Sequence, residues 1–319
     1  MNLDRAALVA HARNSIARGS KSFRFASRLF DPATRERAWL LYAWCRACDD
    51  LADGQEMGHG AHAVSDPQAR LDTIRERTVA ALAGRPTGDP AFDGFGLVAR
   101  ECAIPPALAD DLIEGFARDA AGWRPRHEAD LHSYCYHVAG VVGVMMALVM
   151  GVAPDEETTL DRACDLGIAF QLANIARDIR EDDAAERCYL PIDWLVEMDI
   201  PPGEHMKPHY RHRLAVLAKR LASRADQYEA SARIGARALS YRSAWAVLSA
   251  AGIYGDIARE VARRGEHAWD HRVVIGRGDK LGHVVRAAIM ARLRRSREEV
   301  LPRDARLWTR PRTAISGNG

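Results

Sequence analysis

The chain has 319 residues and a mass of 35.3 kDa, enough to bury a large core as one domain or two. With 48% hydrophobic and 28% charged residues it is no disordered chain, and a formal charge of only +2 gives no bulk basic field for nucleic acid. Six cysteines over this length make no disulfide framework, and Asp4, Arg5, His11 and Arg13 interrupt any signal-peptide core near the N-terminus.

Helical periodicity dominates, and no stretch alternates like a strand bounded by hairpin turns. Asp31-Pro32 followed by Thr34 predicts a helix start, and the helix runs through Trp39, Tyr42 and Trp44 to about Asp53. The glycine-rich segment 54–67 reads as a mobile loop directly after the first aspartate cluster. Further helices are predicted over 68–83, 106–120, 131–150 and 155–183. Long amphipathic patterns follow at about 206–233, 240–264 and 279–299, and 311–319 reads as a frayed tail. The apolar run 138–153 is shorter than a bilayer span and reads as a buried core helix. Nothing resembles an interdomain linker, so the expectation is one all-α domain, soluble and cytoplasmic.

Two acidic segments carry the chemistry. The first reads Arg46-Ala-Cys-Asp49-Asp50-Leu-Ala-Asp53, so Asp49 and Asp53 share a helix face with Arg46 one turn earlier. In the second, Asn174, Asp178 and Asp182 repeat at i, i+4 and i+8, and Gln171 begins the same stripe. A like-charge pair at this spacing costs an isolated helix about 0.2–0.5 kcal/mol and is common on solvated faces. Here both clusters continue apolar helices, where a buried carboxylate needs a partner or a cation. Oxygen ligands without a His/Cys set select Mg2+ or Mn2+, which keeps waters and completes its shell with phosphate. Lys21, Arg46, Arg177 and Arg187 supply donors for the same phosphates, although arginine is abundant here and surface ion pairing would explain such residues equally well. Cys45 and Cys48 form a lone CxxC with no histidine ligand nearby. There is no P-loop, no Rossmann glycine motif and no HExxH.

Five segments carry a family resemblance, in order along most of the chain. They are Gly19-Ser-Lys-Ser-Phe23, Tyr42-Ala-Trp-Cys-Arg-Ala-Cys-Asp-Asp50, Tyr134-Cys-Tyr-His-Val-Ala-Gly-Val-Val-Gly143, Gln171-Leu-Ala-Asn-Ile-Ala-Arg-Asp178 and Arg187-Cys-Tyr-Leu-Pro191. The chain resembles the squalene/phytoene synthases, and within them the bacterial phytoene synthases. The resemblance implies an all-α isoprenoid-synthase fold, a helical bundle around a deep apolar cavity. It implies head-to-head (1'-1) condensation of two geranylgeranyl diphosphates to 15-cis-phytoene through prephytoene diphosphate, a step of carotenoid biosynthesis. Asp49 and Asp53 match the first metal motif, and Asn174, Asp178 and Asp182 the second. Gln171 lines the site beside them, and Tyr134 matches a tyrosine that steers the cation or assists proton loss. Ser20, Lys21, Arg46, Arg177 and Arg187 match phosphate-facing positions, with Tyr254 and Arg272 as weaker matches. Phe23, Val138, Gly140, Val141, Val144 and Met145 are the expected prenyl cavity, with Gly140 and Gly143 leaving room for the tail. The sequence departs from the pattern at Gly54, where many relatives carry a further acid, and at Ala173, where threonine is usual.

The implied cofactor is Mg2+ or Mn2+ without NADPH; ATP, which stimulates some members, finds no motif here. Other carotenoid-pathway enzymes are implied partners. The arginine-rich stretch 286–312, with Leu293, Val300, Leu301, Leu307 and Trp308, suggests peripheral contact with an anionic membrane, against the commoner solvated basic face. Two rivals stand beside this reading. One is the same chemistry on farnesyl diphosphate, giving dehydrosqualene or presqualene diphosphate. The other is a non-catalytic helical module that binds metal or a protein partner.

Overall fold

The computed structural model describes residues 4–19, 21–54, 66–293 and 301–312, with the side chains of residues 21–23 and 53 outside that description. Local chemistry sets the helix boundaries. Helices α1 (Arg5–Gly19) and α2 (Lys21–Ser27) precede α3 (Pro32–Asp53), where the Asp31 side chain accepts the Thr34 amide at 3.0 Å and Pro32 opens the first turn. Gly54 ends α3 in a left-handed conformation (φ 62°), its N–H bonded to the Asp50 carbonyl. A further acid at that position would have to adopt the same disfavoured φ, which explains the departure at Gly54.

Helices α4 (Pro67–Leu82), α5 (Pro90–Glu101), α6 (Pro106–Ala120) and α7 (Glu128–Cys135) follow. A π-helical turn, Tyr136–Gly140, then leads into α8 (Val141–Val149). The longest helix, α9 (Glu157–Ala184), carries the second acidic segment. The chain continues through α10 (Ile192–Glu197), α11 (Arg211–Gly235), α12 (Tyr241–Arg264) and α13 (Arg277–Leu293), with no strand among the described residues. Periodicity placed most of these to within a few residues. It did not mark α1, α2, α5 or α10, and it merged the π-turn into one regular helix.

The buried side chains form one contiguous core from Leu8 to Leu307. On the α3 side, Trp44 stacks on Phe95 with ring centroids 3.8 Å apart. The α7–α8 run is long and apolar enough to cross a membrane by composition. It packs instead against α6 and α9, with Val141, Met145 and Val149 buried. Its crossing with α9 depends on glycine: a Cβ on Gly167 would lie 2.2 Å from the Ala139 carbonyl oxygen, and one on Gly143 would lie 2.3 Å from that of Ala163. After α13 the chain returns as a strap, 301–312, docked on α9. Arg303 pairs with the fully buried Asp165 at 2.7 and 2.9 Å, while Arg310 and Arg312 pair with Asp161 and Glu157. The expected fraying from 311 therefore does not apply to Arg312, and residues 313–319 lie outside the description. The expected loop 54–67 lies outside it at 55–65.

Candidate active site

An apolar cavity of about 460 Å³ lies among α3, α8, α9 and α12, with α2 closing one side. From α3, Tyr42, Cys45 and Arg46 line it; from α9, Phe170, Gln171 and Asn174 do so; Tyr254 comes from α12. Helices α3 and α9 pack little against each other, and Arg46 of one stripe and Gln171 and Asn174 of the other line the same cavity. Tyr254 stacks on Phe170 (centroids 4.2 Å apart), and burial pushes its hydroxyl pKa up, with Arg177 nearby opposing.

The second stripe folds as its spacing predicts. Gln171, Asn174, Arg177, Asp178 and Asp182 are all half-buried, while Leu172, Ala173, Ile175, Ala176 and Ile179 between them are buried. Asp178 is gripped by two guanidinium groups. Arg177 Nε donates to it at 2.7 Å, and Arg272 donates from Nε and Nη2 at 3.0 Å each. Burial alone would raise its pKa, but these two arginines hold it below the usual carboxylate range. Asp182 has the opposite fate. Burial first, and the neighbouring Asp178 charge next, push it up to about 7, with Arg187 only partly compensating. Arg187 reaches this position because the chain turns back after α9: Glu186 adopts φ 59°, and the Arg187 N–H bonds to the Asp182 carbonyl at 2.8 Å. On α3, Arg46 lies 3.5 Å from Asp49 and 3.8 Å from Asp50. Burial acts to lower the Arg46 pKa, but Asp49 and Tyr42 hold it above normal.

These residues fit a divalent cation. Asp182 is a desolvated carboxylate short of positive charge, and Asn174 and Asp178 supply oxygens at the same stripe. Among the described residues no three His, Cys, Asp or Glu side chains converge as a metal cage. Ser20 and the side chains of Lys21, Phe23 and Asp53 lie outside the described residues.

Several of the expected site residues are buried in the fold. Tyr134 is 2% exposed. It packs between Trp123 and Tyr189, and its hydroxyl donates to Asp119 at 3.0 Å. Burial, then the Asp119 charge, raise its pKa well above normal. Tyr189 also donates to Asp119 at 3.0 Å, and the Asp119 carboxylate in turn disfavours ionisation of Asp182. Asp119 therefore belongs to the site's outer electrostatics, and no spacing rule flagged it. The cavity face of α8 also differs. Val138 lines the cavity as expected, but Val141, Val144 and Met145 are buried in the core; Val142 and Met146 take their place. In a regular α-helix, Val138, Val141 and Met145 would share a face. Val138, Val142, Met146 and Met150 share one equally well at i, i+4 spacing, and this is the stripe that lines the cavity. Gly140 abuts Cys164 Sγ, so it serves helix packing rather than tail space. Of the arginine-rich C-terminal stretch, Arg303, Arg310 and Arg312 are paired to α9 and Leu307 is buried, so those residues face the protein rather than a lipid surface. Val300 lies outside the described residues.

The squalene/phytoene synthase family profile matches residues 16–279. A phytoene synthase of Pseudescherichia vulneris is 45% identical over 306 residues, covering 95% of this chain and 98% of that protein. A 15-cis-phytoene synthase of Pantoea ananas matches equally, and one of a Paracoccus species is 43% identical over 314 residues, 96% and 99% of the two chains. Among solved structures, a dehydrosqualene synthase superposes with a TM-score of 0.80 at 24% identity, covering 90% of this chain and 98% of that one. The squalene synthase HpnC from Alicyclobacillus acidocaldarius gives 0.73 at 23% identity, covering 83% and 97%. At such identities these two establish the fold alone, an isoprenoid-synthase helical bundle. Sequence match and fold together show that the chain belongs to the squalene/phytoene synthase family, enzymes that use divalent metal to act on prenyl diphosphates.

Proposed function

We propose that this chain is a phytoene synthase, condensing two geranylgeranyl diphosphates head to head to phytoene with release of diphosphate. The observation that carries the reading is an apolar cavity lined by Arg46 of the α3 stripe and by Gln171 and Asn174 of the α9 stripe, in a chain 43–45% identical to bacterial phytoene synthases. Bound Mg2+ or Mn2+, held by Asn174, Asp178 and Asp182 with Asp49 and Asp53 on the facing helix, would supply Lewis-acid neutralisation of the departing diphosphate. Arg46, Arg177, Arg187 and Arg272, with Lys21, donate hydrogen bonds to the phosphate oxygens as charge builds on them. Arg177 and Arg272 are held by Asp178 at present, so a phosphate arriving there exchanges one anionic partner for another. The apolar wall formed by Val138, Val142, Met146, Phe170 and Ile253 keeps water from the allylic cation, which would otherwise be quenched to an alcohol.

The test is turnover of radiolabelled farnesyl and geranylgeranyl diphosphates with Mg2+ and with Mn2+, with and without NADPH. Phytoene from the longer substrate is expected with either metal and without reductant. A product from the shorter one alone would reassign the substrate, and no product from either would refute the enzyme reading.

We further propose a cytoplasmic location at the surface of an anionic membrane. Leu281, Val285, Ile289 and Leu293 repeat every fourth residue on α13, each more than half exposed, and Arg277, Arg286 and Arg292 flank them. The stripe begins close after Arg272 at the site, and both substrate and product are lipids. Co-sedimentation with anionic but not zwitterionic vesicles, lost in high salt and in Leu281→Ser/Ile289→Ser, is expected. Absence of binding at low salt would refute it.

A further inference from the structure

A second space, a groove of about 1050 Å³, lies among α1, α2 and the start of α3. Ala26 of α2 and Ala38 of α3 line the apolar cavity, whereas Arg24 of α2 and Arg35 and Trp39 of α3 line the groove. No described residue lines both.

The groove is strongly basic. Arg5, Arg13, Arg24, Arg28 and Arg35 line it, against a single carboxylate among the described residues, Glu36. That carboxylate is already engaged: Arg5 pairs with Glu36 at 2.6 Å and with Glu101 at 2.9 Å, and Glu101 also holds Arg37 at 2.8 Å. Among the described residues Arg13, Arg24, Arg28 and Arg35 have no ion-pair partner. Solvation accounts for the exposed Arg13 and Arg28, and Arg24 gains from the helix dipole in the last turn of α2. Arg35 has neither reason. It is the fourth residue of α3, close to the positive end of that dipole, where a cation is disfavoured. Its Nε is buried without a hydrogen-bond partner, and its guanidinium carbon lies 5.5 Å from the centroid of the Trp39 ring. Trp39 is fixed in turn, its indole N–H donating to the Ser27 hydroxyl at 3.0 Å. A buried N–H without a partner, beside a groove of uncompensated positive charge, is a feature that an anion satisfies. Guanidinium forks match phosphate oxygens two at a time, so four of them suit a ligand with several anionic oxygens. Trp39, with Val9 and Ala17 of α1, adds apolar surface for the rest of such a ligand.

We propose that this groove is a phosphate-binding site separate from the catalytic one, taking either a free oligophosphate or the headgroup of an anionic phospholipid. An occupant held by Arg24 and Arg35 joins α2 to α3, the two helices whose other residues wall the apolar cavity. The site stands whether or not the phytoene synthase reading does. The test is calorimetric titration of the whole chain with sodium tripolyphosphate in EDTA, beside co-sedimentation with phosphatidylglycerol and with phosphatidylcholine vesicles at low salt. Circular dichroism follows folding. The wild-type chain should bind tripolyphosphate or the phosphatidylglycerol vesicles. R28Q/R35Q should weaken that binding at least about tenfold, while R46Q, in the apolar cavity, should leave it within about twofold. Should R28Q/R35Q fail to fold, R13Q/R24Q decides, since it leaves the buried Nε of Arg35 untouched and should weaken binding in the same sense. Tripolyphosphate binding lost in these variants assigns the groove to a free oligophosphate; vesicle binding alone, lost in them, assigns it to a lipid headgroup. Binding kept in the folded groove variants, or lost only in R46Q, would overturn the proposal, as would no binding of either probe.

Discussion

Asp178 and Asp182 sit one turn apart on one helix, yet their environments push them in opposite directions. Two guanidinium groups hold Asp178 ionised, while burial and the Asp178 charge raise Asp182 to about 7. Replacing Asp178 or Asp49 by Ala should lower turnover by at least about 10²-fold, with circular dichroism unchanged. Retained activity would remove the two-stripe clamp. For Asp182 the sign follows from linkage. Its folded-state pKa lies above the ordinary carboxylate value, so its cost to stability is absent at low pH. That cost grows as pH rises through about 4 to 7 and is complete above 7. Asp182→Asn should therefore raise the melting temperature in EDTA more at pH 8 than at pH 5. An equal shift at both would mean that Asp182 is not desolvated.

At the scale of elements, the α8–α9 crossing and the strap hold α9 in place. Gly167→Ala puts a methyl carbon against the Ala139 carbonyl and should destabilise the fold by about 1–3 kcal/mol, measured by urea titration. Arg303→Ala leaves the fully buried Asp165 with only the Ser231 hydroxyl and should cost about 3–5 kcal/mol. A neutral outcome there would mean that the strap releases α9 without consequence. The helices themselves were readable where Pro, Asp and Gly punctuate strong periodicity, as at Asp31-Pro32. They were missed where the signal is weak, as in α1, with no acid in its first turn and few buried positions, or short, as in the six-residue α10. The π-turn was invisible because nothing in Tyr136–Gly140 announces an extra residue per turn.

At the scale of the whole molecule, the core is held by apolar packing, whereas Asp178 and Asp182 are only half-buried. Chelation with EDTA should abolish turnover while leaving the melting transition cooperative, with Mg2+ restoring activity; cooperative unfolding lost on chelation would make the metal structural.

By itself the sequence determined the all-α class, the two acidic stripes at i, i+4 spacing and the reaction family. Those depend on residue type and local periodicity, which the chain carries in order. Only the tertiary structure decided what surrounds them. Tyr134 bonds Asp119, Arg272 came to Asp178 from 94 residues away, and the C-terminal strap reached Arg162 of α9. Contacts between residues so far apart depend on how helices cross, and helix crossing is set by side-chain volume and close approach across the core rather than by local pattern.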